Sequence, residues 1–156
     1  MKRREFLKTA CVTTVAVGVT VPNLAWSKEA KPKSKNALSY EAAEQAITGG
    51  KSVVDSAKVA LTVPEIAENG AVVPVKVSVD HPMEKDNYVK AIHVLTTKNA
   101  NARCADVMLS PMNGKAYFAT RIKLGGTQKV VALVETSDGS FLRSSKLVKV
   151  TIGGCG

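Results

Sequence analysis

Seven short runs of alternating, β-branched residues constrain the fold of this chain more than any other feature of its sequence. The runs span residues 58–63, 72–79, 89–96, 105–110, 116–124, 129–136 and 141–152. Alternation of this kind places every second side chain on the same face, as in strands that are buried on one side. Because no helical stretch lies between the runs, we predict an all-β fold, an immunoglobulin-like antiparallel β-sandwich of about seven strands.

The breaks between these runs carry the residues that turns require. Asn, Asp, Gly and Pro tolerate or impose the backbone angles of tight turns. Asp138-Gly139 lies between two apolar runs and predicts a hairpin between the last two strands. The other breaks contain Glu68-Asn69-Gly70, Asp80-His81-Pro82, Asn99-Ala100-Asn101, Asn113-Gly114 and Gly125-Gly126.

One short helix is predicted before the first strand, over residues 39–47. Ser39 is suited to cap its start and Gly49-Gly50 to end it. The apolar residues that recur there at helical spacing are Leu38, Ala42, Ala43, Ala46 and Ile47.

The first 27 residues have the three parts of a secretory signal. They begin with Arg3-Arg4-Glu5-Phe6-Leu7-Lys8, continue with a mildly apolar stretch at 9–21 and end with small residues, so we expect cleavage after Ser27. The paired arginines resemble the twin-arginine export consensus. The predicted organisation is a signal at 1–27, a basic linker at 28–37, the sandwich with its leading helix at 38–152, and a tail at 153–156. We expect a periplasmic protein that is not in the membrane after cleavage.

Composition favours a folded domain and excludes one class of partner. Hydrophobic residues make up 45% of the chain and aromatic residues 4%, so a core of small aliphatic side chains is available. The formal net charge is +9, and much of the excess lies in the signal and in the linker lysines 28, 31, 33 and 35. Nucleic-acid binding would require a basic stripe interleaved with stacking aromatics, which the sequence lacks.

The tail Gly153-Gly154-Cys155-Gly156 has little structural value but clear chemical use. Glycine loses more conformational entropy on folding than any other residue, and cysteine is normally buried. A thiol at the end of a side-chain-free peptide can enter a narrow channel of another protein. Cys155 is therefore the predicted site of covalent substrate attachment, and Gly153, Gly154 and Gly156 form the flexible arm.

Two properties of the Cys155 thiol stay open at this stage. Thiolate is the reactive form, and no cation or helix start lies beside Cys155 in the sequence, so we expect its activation to depend on a partner enzyme. Cys104 is a second cysteine of the mature chain, and an oxidising compartment permits a Cys104–Cys155 disulfide as an alternative.

The sequence is also compatible with a function other than covalent attachment at Cys155. A periplasmic module that binds copper or a protein ligand is the alternative, although we expect Met108 and Met112 to fill core gaps. Glu65 and Glu68 suggest a turn or a partner-facing loop more than an acid/base pair. No nucleophile motif or phosphate-binding loop is present, so no enzyme, cofactor or metal centre is predicted. The candidate copper ligands are His81, His93, Met83, Met108 and Met112.

Several segments together resemble the SoxY family, the carrier subunit of the periplasmic Sox sulfur-oxidation system. Each is weak alone, but the resemblance extends from the signal to the tail. The segments are Arg3-Arg4-Glu5-Phe6-Leu7-Lys8, Val63-Pro64-Glu65-Ile66-Ala67-Glu68-Asn69-Gly70, Val72-Val73-Pro74-Val75, Tyr88-Val89-Lys90-Ala91-Ile92-His93-Val94, Thr120-Arg121-Ile122-Lys123-Leu124, Ser137-Asp138-Gly139-Ser140-Phe141 and Val148-Lys149-Val150-Thr151-Ile152-Gly153-Gly154-Cys155-Gly156.

The resemblance implies a non-enzymatic carrier of thiosulfate-derived intermediates. It implies an immunoglobulin-like domain paired with a second β-sandwich subunit, SoxZ, and a cysteine at the position of Cys155 that holds the cargo. The haem enzyme SoxAX would join thiosulfate to the thiol, and the hydrolase SoxB would release sulfate. This chain departs from the family in two ways: a single Gly156 follows the cysteine where the family usually has two glycines, and Cys104 is additional.

Overall fold

The computed structural model describes residues 36–151, in which nine strands form two sheets. The larger sheet has the order β1-β9-β8-β5-β6, with β3 also beside β9, and the smaller sheet has the order β2-β4-β7. The strands are β1 (Val53–Asp55), β2 (Val59–Thr62), β3 (Ile66–Ala67), β4 (Val73–Val79), β5 (Val89–Thr96), β6 (Arg103–Met108), β7 (Tyr117–Ile122), β8 (Gln128–Thr136) and β9 (Phe141–Val150).

The predicted β-sandwich is confirmed, and its core lies between the two sheets. In β4 the valines at 73, 75, 77 and 79 are buried, while Pro74 and Lys76 between them are exposed. The buried face of β4 packs against side chains such as Ile92, Val130 and Val148 of the larger sheet. Removal of this aliphatic surface from water is the main force that holds the sheets together.

The α-helix, α1 (Tyr40–Thr48), lies on the outer face of the larger sheet, and a short 3₁₀ helix, Pro111–Asn113, lies between β6 and β7. Ser39 Oγ accepts a hydrogen bond from Ala42 N at 3.2 Å, and Gly49 ends the helix in the left-handed conformation with φ 61°. Buried Ala43 packs against side chains of the sheet that include Leu95 and Phe141. The predicted helix and both of its ends are thus confirmed to within one residue.

Two strands were not anticipated from the sequence, and both pair in parallel with β9. β1 lies beside the start of β9, and β3 lies beside its end. With three and two residues, these strands are too short for alternation to reveal them. The main ladders are antiparallel as expected, but the description of the sheet as wholly antiparallel was incomplete.

The Asp138-Gly139 hairpin between β8 and β9 is confirmed. Gly139 adopts φ 81°, which an L side chain rarely tolerates. Asp138 Oδ1 accepts hydrogen bonds from Thr136 Oγ1 and from Ser140 N at 3.0 Å, and Oδ2 accepts one from Ser140 Oγ. These bonds lower the pKa of Asp138 to about 2.

Several sequence predictions lie outside the described residues. The signal at 1–27, most of the linker and the tail at 153–156 are among them, so these boundaries stay predictions. In residues 36–151, no helix has the length and apolar character needed to cross a membrane.

Candidate functional site

The strand that leads into the cysteine-bearing tail is held on both sides up to its last described residue. Lys149 N donates to Glu65 O at 2.8 Å, and Thr151 N donates to Ala67 O at 3.1 Å. On the other side, Val150 N donates to Thr127 Oγ1 at 3.0 Å. We call these three hydrogen bonds the tail clamp. Cys155, Gly153, Gly154 and Gly156 lie outside the described residues, and the clamp fixes the point from which they continue.

Close packing at Gly70 strengthens the clamp. A Cβ at this position would lie 2.4 Å from Leu124 O and 2.9 Å from Val150 Cγ1, so no other residue fits without a shift. Leu124 N donates to Gly70 O at 2.7 Å, and Asn69 Oδ1 accepts from Ala71 N at 2.9 Å. The 63–70 segment is therefore built to approach the end of β9 closely.

Glu65 and Glu68 belong to this same segment. Both side chains are exposed, and the contribution of Glu65 to the clamp comes from its backbone carbonyl. The segment that we predicted as a turn or partner-facing loop contains the short strand β3 followed by a turn at Asn69. Its structural role is to hold the end of β9, after which the tail follows.

A buried glutamine organises the neighbouring loops at the same end of the sandwich. Gln128 is only 1% exposed, and its Oε1 accepts from Lys98 N at 2.8 Å and from Asn99 N at 3.1 Å. Its Nε2 donates to Asn99 Oδ1 at 2.8 Å and to Gly126 O at 3.2 Å. Because Gln128 follows Thr127, the loop network and the tail clamp share one stretch of chain.

Asn99 extends this network to a shallow depression beside the tail clamp. Asn99 Nδ2 donates to Lys123 O at 2.7 Å, and Asn99 Oδ1 accepts from Gly125 N at 3.0 Å. The depression has a volume of about 500 Å³, and Lys98 and Lys123 are among the residues that line it. Neither loop was assigned a role from the sequence, because the partners of Asn99 are up to 29 residues away along the chain.

Cys104 is half-buried near this network. Its Sγ lies 3.5 Å from Thr96 Oγ1 and 3.8 Å from Asn99 Nδ2, and 3.7 Å from Ala102 O. Its proposed disulfide partner, Cys155, is outside the described residues, so the pairing stays a hypothesis.

The candidate copper ligands have other surroundings. His81 Nδ1 lies 2.9 Å from Pro82 O in the expected turn, and Met83 packs against the core. Met108 is 66% exposed and Met112 is 94% exposed, so our expectation that they fill core gaps was wrong. Met108 is the last residue of β6, at an exposed position of its alternation, and Met112 lies in the short 3₁₀ helix Pro111–Asn113. Residues 36–151 contain no group of three or more His, Cys, Asp or Glu side chains arranged to hold a metal.

His93 was placed correctly in a strand, but its partners were missed. It is buried, and its Nδ1 lies 2.5 Å from Asp106 Oδ1, while Arg103 Nε donates to Asp106 Oδ2 at 2.7 Å. Burial alone would raise the pKa of Asp106, but hydrogen bonds and charges from His93 and Arg103 outweigh it and lower the pKa. The β5–β6 register, which pairs His93 with Asp106, is the signal that could have revealed this cluster.

The fold and the clamp define a small β-sandwich protein in which the end of the last strand is held on both sides up to Thr151. Comparison with protein families shows a match to the model described as "Sulfur oxidation protein SoxY" over residues 44–155. No curated protein sequence matches significantly. The chain belongs to the SoxY family.

Solved structures agree with this assignment. The sulfur carrier protein SoxY from Chlorobium limicola f. thiosulfatophilum is 30% identical with a TM-score of 0.62, and the match covers 72% of this chain and 96% of that one. A superoxide reductase (neelaredoxin) from Ignicoccus hospitalis is 18% identical with a TM-score of 0.55, covering 60% and 80% of the two chains. The second likeness concerns the fold alone. Family and structure together place this chain among the sulfur oxidation proteins of the SoxY family.

Proposed function

We propose that this protein holds thiosulfate-derived intermediates covalently on Cys155 and presents them to the enzymes of thiosulfate oxidation. The observation that carries the proposal is the tail clamp, which secures the backbone up to Thr151, separated by one residue from the Gly153-Gly154-Cys155-Gly156 peptide. The family match also extends through residue 155. Cys155 is the fourth residue after Thr151, a span of up to about 14 Å in extended backbone.

The proposed cycle needs two reactions at one sulfur atom. Oxidative joining of the Cys155 thiol with thiosulfate forms a sulfur–sulfur bond, releases one proton and passes two electrons to a haem enzyme. The product is Cys155–S–S–SO₃⁻. Hydrolysis of its terminal sulfur–sulfur bond consumes one water and releases sulfate and a proton, leaving the persulfide Cys155–S–SH. The carrier supplies the thiol and the reach, while its partners supply the oxidant and the hydrolytic site.

The carrier is proposed to work as a heterodimer in the periplasm. The partner subunit is a SoxZ-like β-sandwich, and the enzymes are SoxAX and SoxB, as the family resemblance suggests. Export by the twin-arginine route is supported by Arg3-Arg4-Glu5-Phe6-Leu7-Lys8. Replacement of Arg3 and Arg4 by lysine should leave the protein in the cytoplasm. Normal periplasmic accumulation of this variant, followed by immunoblotting of cell fractions, would contradict the route.

Intact-protein mass spectrometry tests the attachment site. Protein from cells grown on thiosulfate should carry a thiosulfonate or persulfide adduct, and Cys155→Ser should carry none. Cys104→Ser is the matched control and should keep the adduct. Loading that survives Cys155→Ser, or that requires Cys104, would overturn the proposal. A wild-type protein whose mass is two hydrogens below that of the reduced form, with no such loss in either variant, would instead demonstrate the Cys104–Cys155 disulfide.

A further inference from the structure

Basic side chains crowd the end of the sandwich that carries the tail clamp. We define the tail-bearing end by the loops at 97–102 and 123–127 and by the segment at 63–72, which lie at the same ends of their strands as Thr151. The acidic residues in those segments are Glu65 and Glu68. The exposed basic residues on or near this end, which we call the basic collar, are Lys98, Arg121, Lys123, Lys129, Lys146 and Lys149.

The strand pairings place the collar around the clamp. Lys149 is opposite Ile66 in the β3–β9 pair, so it lies within the clamp itself. Lys129 is opposite Leu147, two residues before Lys149. Lys98 and Lys123 contribute to the lining of the depression beside Thr127, whose hydroxyl holds Val150 N. Lys146 lines a depression beside β9 together with Lys149 and Glu65, and Arg121 is opposite Pro74 near the end of β7.

The charge of the collar is not used to stabilise the domain. Among residues 36–151, none of the six collar side chains forms an ion pair or donates a hydrogen bond. Elsewhere Lys90, Arg103 and Arg143 form ion pairs, and Lys90 binds Glu135 at 2.7 Å. Lys58, Lys85 and Lys115 at the opposite end are also unpaired within residues 36–151, so it is the grouping of the collar cations that distinguishes them. Mutually repelling, exposed lysines destabilise a compact state slightly, so their grouping is better explained by an external partner.

We propose that the basic collar is the docking surface for an acidic face of the enzymes that process the cargo, a proposal that rests on the carrier function above. Unpaired charge around a short tether raises the encounter rate with an oppositely charged surface and orients the pair before contact. A cargo arm of only four residues beyond Thr151 requires such orientation, because the body must approach the enzyme closely before Cys155 reaches its active site.

Charge reversal at two ends of the same molecule tests the docking surface. The collar variant is Lys123→Glu, Lys129→Glu and Lys149→Glu. The control is Lys58→Glu, Lys85→Glu and Lys115→Glu, three exposed lysines at the opposite end that also form no ion pair within residues 36–151, with the same change in net charge. Each is purified with its partner subunit in a Cys104→Ser background, and association with the sulfate-releasing hydrolase is measured by stopped flow at low and high ionic strength.

The collar variant should associate about tenfold or more slowly at low ionic strength, and the difference should shrink in 1 M salt as the Debye length falls to about 3 Å. The control should keep the wild-type rate. Equal rates for both variants would overturn the proposal. Loss of the heterodimer in the collar variant, seen by size-exclusion chromatography, would also overturn it and assign the collar to the partner subunit.

Two further measurements complete the test. The first distinguishes attraction of the small anion from docking of the enzyme, and the second distinguishes failure of the docking proposal from failure of the carrier function. Tetrathionate reacts with the Cys155 thiolate, displaces thiosulfate and gives Cys155–S–S–SO₃⁻. The rate of this loading reaction should differ less between the two variants than the rate of association with the enzyme. Slower loading with unchanged enzyme association would show that the collar attracts the small anion and would overturn docking. If loaded wild-type protein yields no sulfate at any salt concentration, the carrier function is wrong. The association rates still test whether the basic collar is the docking surface.

Discussion

The two ends of the sandwich are stabilised in different ways. At the tail-bearing end, a buried glutamine, backbone hydrogen bonds and the close approach at Gly70 hold the chain, while the six cations of the basic collar form no ion pair within residues 36–151. At the opposite end and beneath α1, ion pairs link the elements, with Arg143 joined to both Asp55 and Glu44. Since neutral, buried contacts are insensitive to salt, the tail-bearing end can keep its geometry while its charges serve a partner.

The largest expected effect comes from crowding the tail clamp. Gly70→Ala places a methyl group 2.4 Å from the Leu124 carbonyl and should cost about 2 to 3 kcal/mol of unfolding free energy. Urea denaturation followed by circular dichroism measures it. Gly126→Ala is the matched control at the same end, because its added Cβ meets nothing within 4 Å. A Gly70→Ala protein as stable as the control would show that the chain at Gly70 and Leu124 can move apart without cost.

The buried glutamine should give the next largest effect. Gln128→Met keeps the shape of the side chain but leaves Lys98 N and Asn99 N without their acceptor, at a cost of about 2 kcal/mol. Hydrogen exchange should accelerate in the 97–101 loop, whereas Gln45→Met on the exposed face of α1 should change little. Unchanged protection of that loop would mean that Gln128 does not organise the tail-bearing end.

The ion pairs of the other region should contribute less and should depend on salt. Arg143→Met retains the aliphatic stem but removes the bonds to Asp55 and Glu44, and partly exposed pairs of this kind contribute on the order of 1 kcal/mol. The destabilisation relative to wild type should diminish in 1 M NaCl, unlike that of Gln128→Met. A loss that is equal at both salt concentrations would remove the contrast between the two regions.

The smallest effect is a pH dependence at the β8–β9 hairpin. Hydrogen bonds lower the pKa of Asp138 from 3.8 to about 2 in the folded state, so this carboxylate favours folding above about pH 4 and loses that contribution as the pH falls towards 2. Asp138→Asn should therefore flatten the stability profile between pH 4 and pH 2, measured by thermal unfolding. Asp80→Asn, whose carboxylate accepts no hydrogen bond among residues 36–151, should retain the wild-type slope.

Sequence reasoning worked where local physics decides structure. Alternation marked the seven longer strands, Ser39 and Gly49 marked the helix ends, and Asp138-Gly139 marked the hairpin. It failed where pairing is non-local. β1 and β3 form because they can pair with the edge of β9 that does not face β8. Met108 and Met112 are exposed because β6 ends at Met108. Of the candidate site, Cys155 and its glycines stay predictions from the sequence, while Thr127 and Gln128 carried no signal.

The sequence by itself determined that this chain forms a β-sandwich followed by a cysteine between glycines, because alternation, turn residues and glycine-rich segments are local properties. Only the tertiary structure decided how the tail begins. The clamp joins Glu65, Ala67 and Thr127 to the end of β9, and Gly70 meets Leu124 O, a residue 54 positions later. Such contacts depend on the three-dimensional course of distant segments, which periodicity along one stretch of chain does not encode.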